Sequence, residues 1–309
     1  MKTSGTKSLK APSGTFIARP RRLYGILGSP LGHSLSPAFH NLAFARAAYP
    51  GVYCLWEKQK DELEEFFRAV RSLPIAGLSV TIPHKQNVIP FLDELSARAR
   101  LVGAVNTVVS KEGKLIGGNT DVDGFLLPLQ DYSQKTRLPA RALVLGAGGA
   151  SRAVLAGLAE LGLKKISVTA RKREKAAALL ESLPANVAAK AGVIAWEDRS
   201  TALAGPEGTL VVNTTPLGME GAFPGQNPLP AEAFALLEGD RESAAAPSLF
   251  FDLVYAPRHT PFLLAARERG VATLDGTGFF AAQAARQFQT WTGLSLAFDE
   301  AGQILKEIS

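Results

Sequence analysis

Two periods of apolar spacing alternate along the chain. Residues 23–28 (LYGILG) form a short apolar run that reads as a buried strand. From Ser36, SPAFHNLAFARAAY puts Phe39, Leu42, Ala43 and Phe44 on one helical face. VYCLWE, from Val52, predicts a strand. DELEEFFRAVRSL, from Asp61, predicts an amphipathic helix whose leading acids suit its N-terminus. IAGLSVTI is a strand ended by Pro83, FLDELSARARLV is helical, and AVNTVVS and KLIGGNT are strands. The alternation is interrupted between Gly124 and Arg141 by the helical FLLPLQDYS and the polar QKTRLPA. It then restarts with ALVLG, a helix from Ala150 to Leu161, and the strands ISVTA, LVVNT and SLFFDLVY. TPFLLAARERG and everything after Gly276 read as mostly helical. Strands alternating with helices predict an α/β protein with parallel pairing in βαβ units.

Length changes this picture by dividing it. A chain of 309 residues is too long for one comfortable core, so two domains are expected. Charge changes it by location. The net charge is +6, but residues 1–22 hold Lys2, Lys7, Lys10, Arg19, Arg21 and Arg22 and no acid, so the remaining 28 basic residues match 28 acidic ones. Without clustered charge on the body, no nucleic-acid partner is expected. The first 22 residues lack the apolar segment of a secretory signal; a transit peptide has similar composition, and a disordered basic extension needs fewer constraints. No apolar run reaches the length of a membrane span, so no membrane partner is expected. One cysteine, Cys54, rules out an intramolecular disulfide and fits a reducing, cytoplasmic setting. His33, His40, His84 and His259 lack zinc-ligand spacing, so no metal is expected.

The most specific motif is ALVLGAGGASRAVLAGLAELG. A buried strand ends at Gly146 and a helix follows almost at once. Gly146 permits the tight turn, and Gly148 lets the backbone approach a pyrophosphate on the N–H groups of the helix N-terminus, with Ala147, Gly149 and Ala150 keeping the turn small. Ser151 replaces the third glycine. This predicts a Rossmann-like nucleotide domain. The next strand ends at Ala170 and is followed by Arg171, Lys172 and Arg173, where an NAD enzyme would place a carboxylate for the ribose hydroxyl. A basic cluster attracts a 2′-phosphate, so the expected cofactor is NADP.

Candidate substrate chemistry lies elsewhere. In GSPLGHSLSPAFH, Ser36 is a good N-cap, Pro37 suits the first helical position, and Ser34 lies two residues upstream; two hydroxyls beside free N–H groups make a carboxylate site. Lys85 in VTIPHK and Asp121 in GGNTD each follow a strand, where open α/β sheets put their ligands. A Lys partly shielded from water, oriented by an Asp, can take and return the proton that accompanies hydride transfer at a secondary alcohol. Each residue alone reads as a surface Lys or an Asx turn.

The collinear series SPLGHSLSP, VTIPHK, GAVNT, GNTD, GAGGAS, VNTTPLGM and DGTGFFAAQAARQF resembles the shikimate dehydrogenase family from about Leu23 to the C-terminus. The resemblance implies reversible reduction of 3-dehydroshikimate to shikimate by NADPH in aromatic amino acid biosynthesis. It assigns Ser34 and Ser36 to the substrate carboxylate, and Thr81, Lys85, Asn106 and Asp121 to the ring hydroxyls, with Lys85 and Asp121 as the catalytic pair. Tyr255 and Gln283 would complete the pocket. Cofactor contacts map to Gly146, Ala147, Gly148, Gly149 and Ala150, to Arg171, Lys172 and Arg173, and to Leu253 and Gly278. It also implies a discontinuous smaller α/β substrate domain, residues 23–123 plus 276–309, closed by the C-terminal helices around a nucleotide domain at 124–275. A small-molecule enzyme, monomer or homodimer, is expected. Departures from the family pattern are Ser79 for Asn, Val122 for Gly, Ala170 with Lys172 in the phosphate loop, and Phe279 for Met. The rival readings are a quinate/shikimate dehydrogenase using NAD and a non-catalytic sensor; the basic run disfavours the first, and the Lys85–Asp121 pair disfavours the second.

Overall fold

A computed structural model describes residues 21–204, 207–237 and 246–309. The expected basic extension therefore lies outside the described residues up to position 20, and Arg22 already belongs to a strand. The first part of the chain contains β1 (Arg22–Gly28), α1 (Ser36–Arg46), β2 (Gly51–Glu57), α2 (Leu63–Ser72), β3 (Ile75–Val80), β4 (Glu94–Leu95), α3 (Ala97–Val102), β5 (Thr107–Lys111) and β6 (Lys114–Gly118). Helix α4 (Asp121–Ser133) leads to β7 (Arg141–Leu145), α5 (Gly149–Glu160), β8 (Lys165–Thr169), α6 (Arg173–Glu181), α7 (Ala185–Ala188), β9 (Ala191–Val193), β10 (Thr209–Asn213), α8 (Ala231–Ala235), β11 (Leu249–Asp252), α9 (Pro261–Glu268) and β12 (Ala272–Leu274). The chain closes with α10 (Gly276–Thr292) and α11 (Phe298–Ile308).

The strands form two six-stranded sheets, ordered β2-β1-β3-β5-β6-β4 and β12-β11-β10-β7-β8-β9. Among the described residues all pairings of the second are parallel, as βαβ units require. The first sheet is mixed, against the expectation of uniform parallel pairing: β3–β5 and β5–β6 are antiparallel. The reason is local. Glu112 and Gly113 both have positive φ, 53° and 78°, the backbone of a two-residue hairpin that returns β6 beside β5 without a crossover helix.

The second sheet's order reverses between β10 and β8 on either side of β7, so the crevice at the C-terminal end of β7 is the place where such sheets bind ligands. The first sheet is covered on one face by α1, α10 and α11, whose Phe39, Phe44, Phe280, Phe288, Trp291 and Ile304 pack on Tyr24 and Tyr53. On the other face Phe67 and Val70 pack on Leu78 and Leu27. The C-terminal helices thus belong to the core of the N-terminal sheet, although the second sheet intervenes in sequence.

Two helices join the sheets. Helix α4 runs through residues 123 and 124 without a break, carrying Pro128 inside it. It crosses α10 at glycines: a Cβ on Gly124 would stand 2.9 Å from the Phe279 carbonyl oxygen and 3.1 Å from Gln283 Cβ, and one on Gly278 would stand 3.2 Å from Pro128 Cγ. A further link comes from α5, where Arg152 is buried and donates to the carbonyl of Val102, at the C-terminus of α3, and to Ser182 Oγ at 2.7 Å. Cation donation to a helix C-terminus is favourable both as hydrogen bond and with the helix dipole. Among the described residues no helix is long and apolar enough to cross a membrane.

Gly124→Ala is expected to destabilise the protein by about 1–3 kcal/mol through overpacking against α10. Urea unfolding measures it; an unchanged midpoint would show that α4 and α10 separate freely.

Candidate active site

The segment VTIPHK leaves β3 and turns back at once. His84 N–H donates to the Thr81 carbonyl, and His84 Nε2 lies 2.8 Å from the Lys58 carbonyl oxygen, which anchors the turn from its buried side. The Lys85 carbonyl accepts from Val105 N–H at 2.7 Å. Between these anchors the Lys85 side chain has one course, into the space between the sheets. A Cβ on Gly149 would lie 3.1 Å from Lys85 Cδ, so the lysine stem runs along the first turn of α5.

Asp121 is the first residue of α4, where a carboxylate suits the helix dipole. Asn119, two residues earlier, makes an Asx turn: its Oδ1 accepts from Asp121 N–H at 3.0 Å, while its Nδ2 donates to the Ala104 carbonyl. Lys85 Nζ reaches Asp121 Oδ2 at 2.6 Å, with the two side chains 14% and 3% exposed. Asn106 Nδ2 donates to the other carboxylate oxygen at 2.8 Å. Three residues expected to share a site are therefore in direct contact.

The Ser34–Ser36 segment differs in detail from the expected cap. Helix α1 begins at Ser36, with Pro37 second, and Leu35 occupies the N-cap position without a side-chain bond. Ser34 Oγ does the capping, accepting from Ser36 N–H at 3.3 Å. Ser36 is thus released from the cap and lies buried beside the Tyr53 phenol, whose pKa burial raises against the opposing hydrogen bonds of Ser79 and Ser36. Thr81 packs close to Gly28 at the same end of the sheet. Tyr255 approaches from the loop after β11: its ring centroid is 5.0 Å from that of Phe280, burial raises its pKa, and the Leu35 backbone opposes that shift by hydrogen bonding. Gln283 lies buried under the start of α4 and donates to the Phe280 carbonyl.

The nucleotide loop explains its own irregularity. Gly146 has φ +118°, and a Cβ there would stand 2.4 Å from Thr214 Oγ1. Ser151, at the third glycine position, is fully buried; its Oγ accepts from Gly148 N–H at 3.0 Å and lies 2.7 Å from Thr214 Oγ1. The serine ties the turn to the VNTTP segment, a role a glycine could not fill. Since the Gly148 N–H is used internally, the helix N-terminal donors left without intrahelical acceptors begin at Gly149 and Ala150. Gly148 itself is exposed, and a Cβ there would meet nothing within 4 Å, which leaves the concave approach a phosphate requires. Arg171, Lys172 and Arg173 stand exposed after β8, where α6 begins. Leu253 follows β11, its N–H bonded to the Asn213 carbonyl, and Gly278 sits in the first turn of α10. These residues fit a dinucleotide with an additional phosphate.

Residues 26–108 match the model of the shikimate dehydrogenase substrate binding domain. Over 288 residues the chain is 43% identical to a shikimate dehydrogenase (NADP(+)) of Oleidesulfovibrio alaskensis, covering 93% of this chain and 96% of that protein. The chain belongs to the shikimate dehydrogenase family. Among solved structures, the Thermus thermophilus shikimate 5-dehydrogenase in complex with NADP(H) and shikimate matches with a TM-score of 0.76 at 34% identity, covering 93% of this chain and 100% of that one. A quinate dehydrogenase of Corynebacterium glutamicum in complex with NAD matches with a TM-score of 0.79 at 30% identity, over 93% and 99% of the two chains. Proteins of this fold thus include one named a shikimate dehydrogenase and one named a quinate dehydrogenase, so fold alone does not set the substrate.

Sequence reasoning missed several buried residues with polar groups around this site, among them His40, Tyr53, Thr107 and Gln287. Their only signal was polarity within otherwise apolar helix and strand faces. His40 stacks on Tyr53, with ring centroids 4.6 Å apart, and neither ring nitrogen has a hydrogen-bond partner. Burial lowers its pKa from 6.5 to about 3. The unfolded chain therefore binds a proton that folded His40 refuses, so its contribution is complete above pH 6.5 and is lost as pH falls toward 3. Asp252 has the opposite sign. Burial raises it from 3.8 to about 7 against hydrogen bonds from Thr260, Val254 N–H and Asn213, so its contribution is complete below pH 3.8 and is lost as pH rises through 7. The two slopes oppose each other across mildly acidic pH. His40→Phe should leave a protein whose stability rises on acidification from about pH 7 to 4.5, and Asp252→Asn one whose stability falls over that range. Urea midpoints of the two variants check this; parallel pH dependences would contradict both assignments.

Proposed function

We propose that this chain is an NADP-dependent shikimate dehydrogenase that interconverts shikimate and 3-dehydroshikimate in aromatic amino acid biosynthesis. The observation that carries the reading is the Lys85–Asp121–Asn106 cluster, held beside the first turn of the nucleotide-binding helix. A proton-transfer pair and a hydride acceptor must converge on one carbon, and the packing of Lys85 on Gly149 supports that convergence.

Gly146 to Ala150 would hold the pyrophosphate, Arg171, Lys172 and Arg173 the 2′-phosphate, and Leu253 and Gly278 the nicotinamide end. Bound NADP+ supplies a hydride acceptor, and NADPH a donor. Ser34 and Ser36 hold the substrate carboxylate, Thr81, Lys85, Asn106 and Asp121 hold the ring hydroxyls, and Tyr255 and Gln283 complete the pocket from the far side. In oxidation, Lys85 takes the proton of the reacting hydroxyl as the C–H bond gives up its hydride; in reduction, its ammonium returns a proton to the ketone oxygen. Asp121 orients Lys85 and shares the charge, and Asn106 fixes Asp121. Closure of the cleft excludes water during transfer.

The proposed domain division follows from this role: residues 23–123 with 276–309 form the substrate domain and 124–275 the nucleotide domain, α4 and α10 being the connectors. The protein works on small molecules, as a monomer or homodimer in the cytoplasm, without nucleic acid or membrane partners. The balanced charge beyond residue 22 and the single cysteine support this.

The first test is the initial rate of reduced-cofactor formation with shikimate and quinate offered separately, each with NADP and NAD. Turnover of shikimate with NADP is expected; equal turnover of quinate or a preference for NAD would move the protein to the broader quinate/shikimate class, and no turnover despite NADP binding would favour a sensor. Lys85→Ala should lower kcat by about 10²–10⁴-fold while NADP affinity stays nearly intact. An unaltered rate would remove the lysine from the mechanism. Arg171→Ala should raise KM for NADP by about 10-fold and leave that for NAD nearly constant; equal changes for both cofactors would place the arginine away from the 2′-phosphate.

A further inference from the structure

Behind the proposed proton-transfer pair runs a buried file of hydrogen bonds whose direction is fixed by groups with only one role. The Asn106 carbonyl can only accept, so the Gln287 atom 3.0 Å from it is the amide nitrogen, and the same nitrogen donates to Thr107 Oγ1 at 3.1 Å. Gln287 Oε1 then faces Ser79 and accepts its hydroxyl at 2.8 Å. With its proton given to Gln287, Ser79 accepts from the Tyr53 hydroxyl at 2.6 Å. At the other end, Thr120 N–H can only donate, so the Asn106 atom 2.7 Å from it is Oδ1. Thr107 Oγ1, already an acceptor from Gln287, donates to that same Oδ1 at 2.8 Å. Asn106 Nδ2 is thereby turned onto Asp121. The file reads Tyr53, Ser79, Gln287, Thr107, Asn106, Asp121, and every member donates toward the carboxylate. All six side chains are more than nine-tenths buried, and the first adjoins Ser36.

We infer that Gln287 is a positioning residue for catalysis: through Thr107 it locks the Asn106 amide with its nitrogen toward Asp121, and through Ser79 and Tyr53 it ties that lock to the segment proposed to bind the substrate carboxylate. Without Gln287, Thr107 is free to turn its proton away, and the Asn106 amide loses one of the donors that hold Oδ1 in place. Polar chains of this kind polarise successive members, so the effect is carried by orientation rather than by contact with substrate. The kinetic part of the inference rests on the function proposed above.

The test uses Gln287→Leu, Ser79→Ala and Thr107→Val, with exposed Gln289→Leu as control. In shikimate oxidation, Gln287→Leu and Thr107→Val should each lower kcat by about 10-fold, the effect of one misoriented buried hydrogen bond, with KM for NADP within about 2-fold of wild type. Combined, they should cost no more than the larger single effect, because they break one file. Without any substrate, the Asn106 side-chain amide resonances should shift in Gln287→Leu and Ser79→Ala and stay in place in Gln289→Leu. Unmoved Asn106 resonances, or kcat losses that multiply, would overturn the inference. Should Gln287→Leu not fold, Ser79→Ala decides by the same resonances. Failure of wild type to oxidise shikimate would defeat the proposed function alone, since the resonances still judge the positioning role.

Discussion

Burying a carboxylate is unfavourable unless every lone pair finds a partner, and Asp121 is only 3% exposed. Much of the structure around the cleft can be derived from that one requirement. Lys85 supplies the opposite charge, Asn106 a neutral donor, and the start of α4 the positive end of a helix dipole. Each partner then needs a fixed position of its own. His84 anchors the lysine turn to Lys58, Asn119 anchors the aspartate to Ala104, and Thr107 and Thr120 occupy the Asn106 oxygen. A pair so well enclosed is stable only as a pair, because removing either partner leaves an uncompensated buried charge.

The same aspartate opens the helix that leads from one sheet to the other. Because α4 crosses α10 at Gly124 and Gly278, the connection out to the second sheet and the return from it are packed side by side. Gln283 is carried on the returning helix next to the crossing, and Asp121 lies at the start of the outgoing one. Partly exposed ion pairs of Asp123 with Arg98 and Arg286 border this junction beside the close helix contact. Positioning of the site and joining of the sheets are therefore one packing problem, solved by residues without side chains.

Much of this was legible from residues whose chemistry is carried by local sequence. Lys85 after VTIP, Asp121 after GGNT and the glycines from Gly146 each sit where a strand ends, and periodicity alone locates strand ends. The antiparallel half of the first sheet was not legible, because the hairpin turns on positive φ at Glu112, a residue that seldom signals one. The capping role of Ser34 rather than Ser36 was missed for a similar reason: both are good caps, and the contact of Ser36 with Tyr53 is tertiary and leaves no local signal. Gln287 was beyond reach altogether. It lies on α10, 208 positions from Ser79 and 180 from Thr107, and no local pattern distinguishes a glutamine that completes a buried network from one at a helix surface.

Ser79 shows how such long-range polar groups resolve an apparent departure. Serine has a shorter reach than the asparagine that the family resemblance leads one to expect at this place, and a lone hydroxyl on a buried strand would leave neighbouring polar atoms unsatisfied. Here the distance is filled from both sides, by Tyr53 from the adjacent part of the sheet and by Gln287 from the helix above. The glutamine supplies the amide that the strand lacks, and it can do so because α10 lies against the sheet, as shown by the Trp291 indole donating to the Val108 carbonyl and by a Cβ on Gly77 meeting that ring at 2.4 Å. A polar requirement of the strand has been transferred to the C-terminal helix, so that substitution at either position is constrained by the other. The same reasoning accounts for Ser151 after Gly148, where a hydroxyl in place of a motif glycine is the group that binds the turn to Thr214.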